Sequence, residues 1–198
     1  QIYRHLILIY KKTENNQLVF EAYKLALKSF KNDIGLWKAY IEFLFSLKEK
    51  EEDVSVESFQ EPKEAVAQAL QSLIVSNKKI ELLVHFAGLY YKYNQSEQGK
   101  TSFEALVKEH PKRTDIWLVY LDKEAHYNSD NARTVFKKCL EKDLKIKFLK
   151  QVVAKYLEFE KKHSSQSELE KAGKYVQELM KSKLSKVEVE EEEASEEM

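Results

Sequence analysis

Cysteine occurs once in the 198 residues, proline twice and glycine four times. The single thiol, Cys139, rules out an internal disulfide and a zinc site built on several thiolates, and fits a reducing compartment, cytosol or nucleus. In an apolar helical stretch such a residue reads as packing. Sandwiches and barrels use Gly and Pro at their turns, so their scarcity argues for helices joined by short polar links. No apolar run long enough to span a bilayer is present, so no transmembrane helix is expected. There is no leader-like pattern at Gln1, which begins mid-pattern as in a piece of a longer protein. Arginine is also rare: Arg4, Arg113 and Arg133 stand among 33 basic residues. Bidentate reading of phosphates and guanine edges favours Arg. Sequence-specific nucleic-acid readout is therefore not expected, while nonspecific phosphate contact by Lys stays open.

Signatures of catalysis are missing as well. The glycines at 35, 88, 99 and 173 are scattered, and no phosphate-binding loop or nucleophile elbow is formed. No His-Glu-x-x-His helix exists, and the histidines at 5, 85, 110, 126 and 163 lack ligand spacing. They read as surface or partly buried residues, and the many carboxylate pairs as solvated helix faces. The sequence therefore gives no reason to expect an enzyme, a cofactor, a metal or a small-molecule substrate.

A repeat is what the sequence does contain. Bulky apolar or aromatic residues at positions 1 and 4, with bulky or acidic residues at 7 and 8, recur as Trp37, Tyr40, Phe43, Leu44 and as Trp117, Tyr120, Lys123, Glu124. Weaker copies begin at Tyr3, at Leu83 (with Phe86) and at Val153 (with Tyr156). Between them lie pairs four apart: Tyr23/Leu27, Val66/Leu70, Phe103/Val107, Phe136/Leu140 and Tyr175/Leu179. Spacings of three and four put such residues on one helical face. Each unit is then an A helix followed by a B helix, and five units give ten helices in five antiparallel pairs. Trp37, Tyr40, Phe86, Phe103, Trp117, Tyr120, Phe136 and Tyr156 are the expected repeat core. Their phase argues against base stacking.

Punctuation agrees with this phase. Asn32-Asp33, Thr114-Asp115 and Ser129-Asp130 precede helices, Ser167 with Glu170 has capping-box spacing, and Pro62 suits a first helical turn. Residues 48–60 are polar and acidic and read as a loop inside the second unit, with a longer A helix as the alternative for their first half. The run 188–198 carries seven Glu and no basic residue, leaving 33 basic against 26 acidic residues elsewhere. Residues 1–186 are thus expected to form the solenoid, and 187–198 a disordered acidic tail. Candidate phosphate contacts on the basic body are Lys112, Arg113, Lys137, Lys138, Lys142, Lys145 and Lys147.

A Trp-x-x-Tyr helix followed by a Phe-x-x-x-Leu helix at this period resembles the half-a-TPR repeat, more closely than the tetratricopeptide pattern with its small residues. Within it, Pro111-Lys112-Arg113-Thr114-Asp115-Ile116-Trp117 with Val119-Tyr120, and Tyr156-Leu157-Glu158-Phe159-Glu160-Lys161, resemble the C-terminal repeats of the rRNA-processing protein five family. The resemblance covers about 1–185 and is specific over 109–163. It implies an all-α, right-handed solenoid of the TPR-like kind. It further implies a non-catalytic scaffold of a nuclear, nucleolar ribosome-assembly factor with OB-fold RNA-binding repeats upstream. Its partners would be other ribosome-assembly proteins in the pre-ribosomal particle, with at most weak precursor-rRNA contact and no membrane. Two other readings remain: a half-a-TPR scaffold in splicing or mRNA 3′-end processing, and a weak RNA-binding module.

Overall fold

A computed structural model describes residues 2–48, 59–127 and 129–196, with side chains described as far as Ser185. Ten α-helices and no strand occur among the described residues. They are α1 (Ile2–Lys12), α2 (Asn16–Ser29), α3 (Ile34–Lys48), α4 (Gln60–Ser72) and α5 (Ser76–Lys92), then α6 (Ser96–Glu109), α7 (Thr114–Tyr127), α8 (Ser129–Leu140), α9 (Ile146–His163) and α10 (Gln166–Glu196). Each expected A and B segment falls on its own helix, in the expected order, so the fold is an all-α helical repeat. No described helix is long and apolar enough to cross a membrane.

The chain divides into two compact units, 1–103 and 104–198. In the first, α1 pairs with α2 and α3 with α4, while α3 also packs on α2 and α5. Its core is aromatic. Tyr23 stacks on Phe43 at 5.7 Å and tilts against Tyr40 at 5.4 Å. Phe45 meets Phe59 at 5.0 Å, Tyr90 at 5.3 Å and Phe86 at 5.8 Å. In the second unit α7 pairs with α8 and α9 with α10, and α9 also packs on α8 and α7. Here Phe136 lies 5.4 Å from Tyr156 and 5.6 Å from Phe159.

Of the expected core residues, Trp37, Tyr40, Phe103, Trp117, Tyr120, Phe136 and Tyr156 are buried, and Phe86 is half-buried against the first unit's cluster, which holds Trp37 and Tyr40. Trp117 and Tyr120 are fully shielded from solvent, so truncating either to Ala would cost about 3–5 kcal/mol. Cys139 is buried too, and burial pushes its thiol up to about 12, so at neutral pH it is a packing group and not a nucleophile.

Several local expectations need correction. Phe59, placed in the polar loop, is 1% exposed and anchored between Phe45 and Tyr90; a lone aromatic in an acidic stretch carries no periodicity to reveal it. Lys48 ends α3 and pairs with Glu61 at 3.5 Å. The rest of that loop, 49–58, lies outside the described residues. The capping box at α10 is Ser165 with Glu168, not Ser167 with Glu170. Ser165 N donates to Glu168 Oε2 at 2.9 Å, and Glu168 N donates to Ser165 Oγ at 3.4 Å. Both pairs have the required spacing, and packing of Ala172 and Val176 sets the register. The run expected to be disordered from 187 has helical backbone to Glu196, as a continuation of α10. Glu is a good helix former, and the preceding turns supply the costly nucleus. Glu124 and Glu160, the acidic residues of the repeat pattern, are buried. Glu124 accepts from Asn131 Nδ2 at 2.8 Å. Glu160 accepts from Arg133 Nε at 3.1 Å and from the Ser164 hydroxyl. Both stand at position 8 of their A helices, four residues after Tyr120 and Tyr156, and so share the buried face.

Gly99 is required where α6 meets α5. A Cβ there would overlap the ring of fully buried Tyr91 and come to 3.2 Å from the Ala87 carbonyl oxygen. Gly99→Ala should therefore lower stability by about 1–3 kcal/mol in denaturant unfolding, although Ala is the better helix former. Unchanged or increased stability would show that the Tyr91 ring is free to move aside.

The buried tyrosines predict an alkaline transition. Burial pushes Tyr23, Tyr40, Tyr90 and Tyr156 up to about 12 from an ordinary value of 10.0. Their neutral form is favoured in the folded state, so this stability is present below pH 10 and is lost between about 10 and 12. Helicity and phenolate absorbance should change together in that window; full phenolate absorbance from a still-folded chain at pH 10 would contradict the burial.

Candidate interaction surface

With most of the aromatics committed to the core, Tyr127 being exposed and Tyr175 half-buried, the surface chemistry of the second unit rests mainly on charge. The seven candidate phosphate contacts do not form one cluster. Arg113 is already engaged: its Nε and Nη2 donate to the two oxygens of Asp115 at 2.9 and 2.7 Å. That fork holds the Asp115 carboxyl below the usual carboxylate range. Lys112 is exposed beside it in the turn before α7. Lys145 and Lys147 are exposed at the start of α9 and line neither of the hollows described next.

Lys137, Lys138 and Lys142 are placed differently, along α8 and its C-terminal end. A hollow of about 330 Å³ lies between α6 and α8. Lys108, Lys138 and Lys142 surround it, and Val107 and the edge of Trp117 form its apolar wall. Glu104 is its carboxylate, and Lys138 takes it at 3.4 Å. A second hollow, about 360 Å³, lies between α8 and α10. Lys137, Arg133 and Lys171 stand over Tyr156, Ala172 and Tyr175. Here Arg133 is spent on Glu160, and Lys137 Nζ sits 6.0 Å from the centre of the Tyr175 ring. Glu168 faces the hollow but accepts from the N–H and hydroxyl of Ser165, which hold its carboxyl below the usual range.

The A-helix side of this unit differs. A hollow of about 440 Å³ between α7 and α9 has Phe136 and Phe159 as its floor. Its charges are internally matched: Lys155 pairs with Asp122 at 2.5 Å and Lys162 with Glu158 at 2.7 Å. Among the described residues no group of three or more His, Cys, Asp or Glu is arranged to hold a metal ion.

Sequence reasoning missed Lys108 and Lys171, which complete the two basic hollows. A signal was present: Lys171 precedes Tyr175 by four residues and Lys108 follows Val107, so both border the buried stripe once B helices are aligned on their apolar pairs. Arg133 and Glu160, 27 residues apart, gave no such signal.

Comparison with known proteins agrees with this architecture. The chain is 30% identical over 171 residues to the rRNA biogenesis protein RRP5 of Arabidopsis thaliana, which covers 86% of this chain and 8% of the relative. It is 28% identical over 182 residues to the protein RRP5 homolog of Mus musculus, 89% of this chain and 9% of the relative. To the rRNA biogenesis protein rrp5 of Schizosaccharomyces pombe it is 30% identical over 161 residues, 81% of this chain and 9% of the relative. The chain thus spans about a tenth of the length of these relatives, and the likeness extends well beyond residues 109–163. A model of the suppressor of forked protein (Suf) family matches residues 63–195. The helical repeat and this match together show that the chain belongs to the suppressor of forked protein (Suf) family.

Proposed function

We propose that this chain is a non-catalytic scaffold module of a ribosome-assembly factor, acting in precursor rRNA processing and small-subunit processome assembly through protein–protein contacts. The observation that carries this reading is the similarity to RRP5 proteins across 81–89% of the chain. The surface supports contact with protein over contact with RNA. Trp117 and Tyr120 offer no ring face for base stacking. Arg113 and Arg133 are spent on internal carboxylates. Lysine alone gives phosphate affinity that falls steeply with salt. On this reading the module works in the nucleolus, beside other assembly proteins in the pre-ribosomal particle. Splicing and mRNA 3′-end processing gain no support from the relatives.

Two measurements test the proposal. The tagged chain, recovered from nuclear extract, should bring ribosome-assembly proteins with it, and these should persist after ribonuclease treatment. Their complete loss on ribonuclease treatment, or recovery of splicing factors in their place, would reject it. In titrations with precursor rRNA, binding should be weak and salt-sensitive, and should strengthen when residues 188–198 are removed. Sub-micromolar, sequence-selective binding by the intact chain would make it an RNA reader instead.

A further inference from the structure

The two hollows flanking α8 share a charge imbalance that the hollow between α7 and α9 does not have. Lys108, Lys137, Lys142 and Lys171 are all exposed, and none forms an ion pair among the described residues. Glu104 is held by Lys138 and Glu160 by Arg133, while Glu168, hydrogen-bonded by Ser165, also feels the charge of Lys171; cations still outnumber carboxylates three to one in the α6–α8 hollow and three to two in the α8–α10 hollow. The result is two apolar-walled cups with an excess of positive charge at their rims. On the α7–α9 side, by contrast, the rim lysines are matched by carboxylates.

From this we infer that the face formed by α6, α8 and α10 in the second unit is a docking site for an acidic protein segment, an extended stretch in which glutamates or aspartates alternate with aliphatic or aromatic residues. The inference rests on the protein-scaffold reading above and gives its partner a chemical class. Acidic side chains meet Lys108 and Lys142 on one side of α8 and Lys137 and Lys171 on the other. Apolar side chains enter the cups, against Ala105 in one and Tyr175 in the other. Charge complementarity decides the sign of the partner. The cups decide its class: each has an apolar floor for an inserted side chain, whereas a nucleic acid would look for an exposed ring face or a free guanidinium fork. Both arginines of this unit are occupied, and the Trp117 ring is fully covered.

The test uses the full 198-residue chain and a labelled synthetic peptide of alternating glutamate and leucine, read by fluorescence anisotropy at physiological salt. A peptide with glutamine for every glutamate and a single-stranded oligouridylate serve as comparisons. The acidic peptide should bind, and the glutamine peptide should bind at least about tenfold more weakly. The pair Lys137→Glu with Lys142→Glu should reduce acidic-peptide affinity by a similar factor while leaving helicity and melting temperature unchanged. Lys162→Glu, on the α7–α9 side, should leave affinity unchanged. Equal binding of the two peptides, or an unaltered affinity in the double variant, would overturn the inference and leave the scaffold reading standing. Oligouridylate binding tighter than the acidic peptide, lost in the same double variant, would overturn both.

Discussion

The seating of one indole at the start of an A helix is the constraint on which each unit depends. Trp37 Nε1 donates to the Lys31 carbonyl at 2.8 Å, and Trp117 Nε1 donates to the Pro111 carbonyl at 3.0 Å. In both cases the acceptor lies six residues upstream, in the turn that leads out of the preceding B helix. Matching backbone bonds hold the two turns: Phe30 N to Ala26 O, Asp33 N to Phe30 O and Trp37 N to Asp33 O in the first unit; His110 N to Leu106 O, Arg113 N to His110 O and Trp117 N to Arg113 O in the second. A buried indole N–H needs a partner. Supplying it from this turn fixes the angle at which A leaves B, and so brings Tyr40 or Tyr120 onto the buried face one turn later. A single helix pair cannot bury its apolar stripe alone, and this joint is what lets the next helix cover it.

That use of the aromatics shapes what is left for function. Stacking surfaces and guanidinium forks are the groups that proteins most often turn toward nucleic acid. Here most rings sit in the core, Phe30 and Tyr127 being exposed, while Arg113 and Arg133 are tied to Asp115 and Glu160. Buried Glu160 would be costly without that pairing. What remains outward is largely lysine, and its distribution is uneven: matched by carboxylates in the hollow between α7 and α9, and in excess of them on both sides of α8. A scaffold role agrees with this division of labour, since the interior does the structural work and surface charge is free to select partners.

Much of the fold was legible because each part of it repeats. Bulky residues three apart in A helices and four apart in B helices recur often enough to fix ten helices and their order. Features that occur once were not legible. Phe59 joins the core from within an acidic stretch; Gly99 gives no sign in sequence that Tyr91 leans on it; the capping box at α10 has two spacings to choose from. The candidate site was half legible. Lys137, Lys138 and Lys142 stand out as a local cluster. Only folding shows that α8 separates Lys137 from the other two, and that Lys108 and Lys171 come from helices on either side. Long-range pairs such as Arg133 with Glu160 leave no periodic trace, because each partner is set by a different helix.

The most direct measurement is zero-length carbodiimide cross-linking of the chain within its native particle, set beside ultraviolet cross-linking to RNA. Carbodiimide joins a lysine only to a carboxylate already in contact with it. The structure predicts links from Lys108, Lys137, Lys142 or Lys171 to aspartates and glutamates of another protein, with little RNA attached to α6, α8 or α10. Heavy RNA cross-linking along those helices, with no protein links from those lysines, would contradict the claim that this repeat module is a scaffold for proteins.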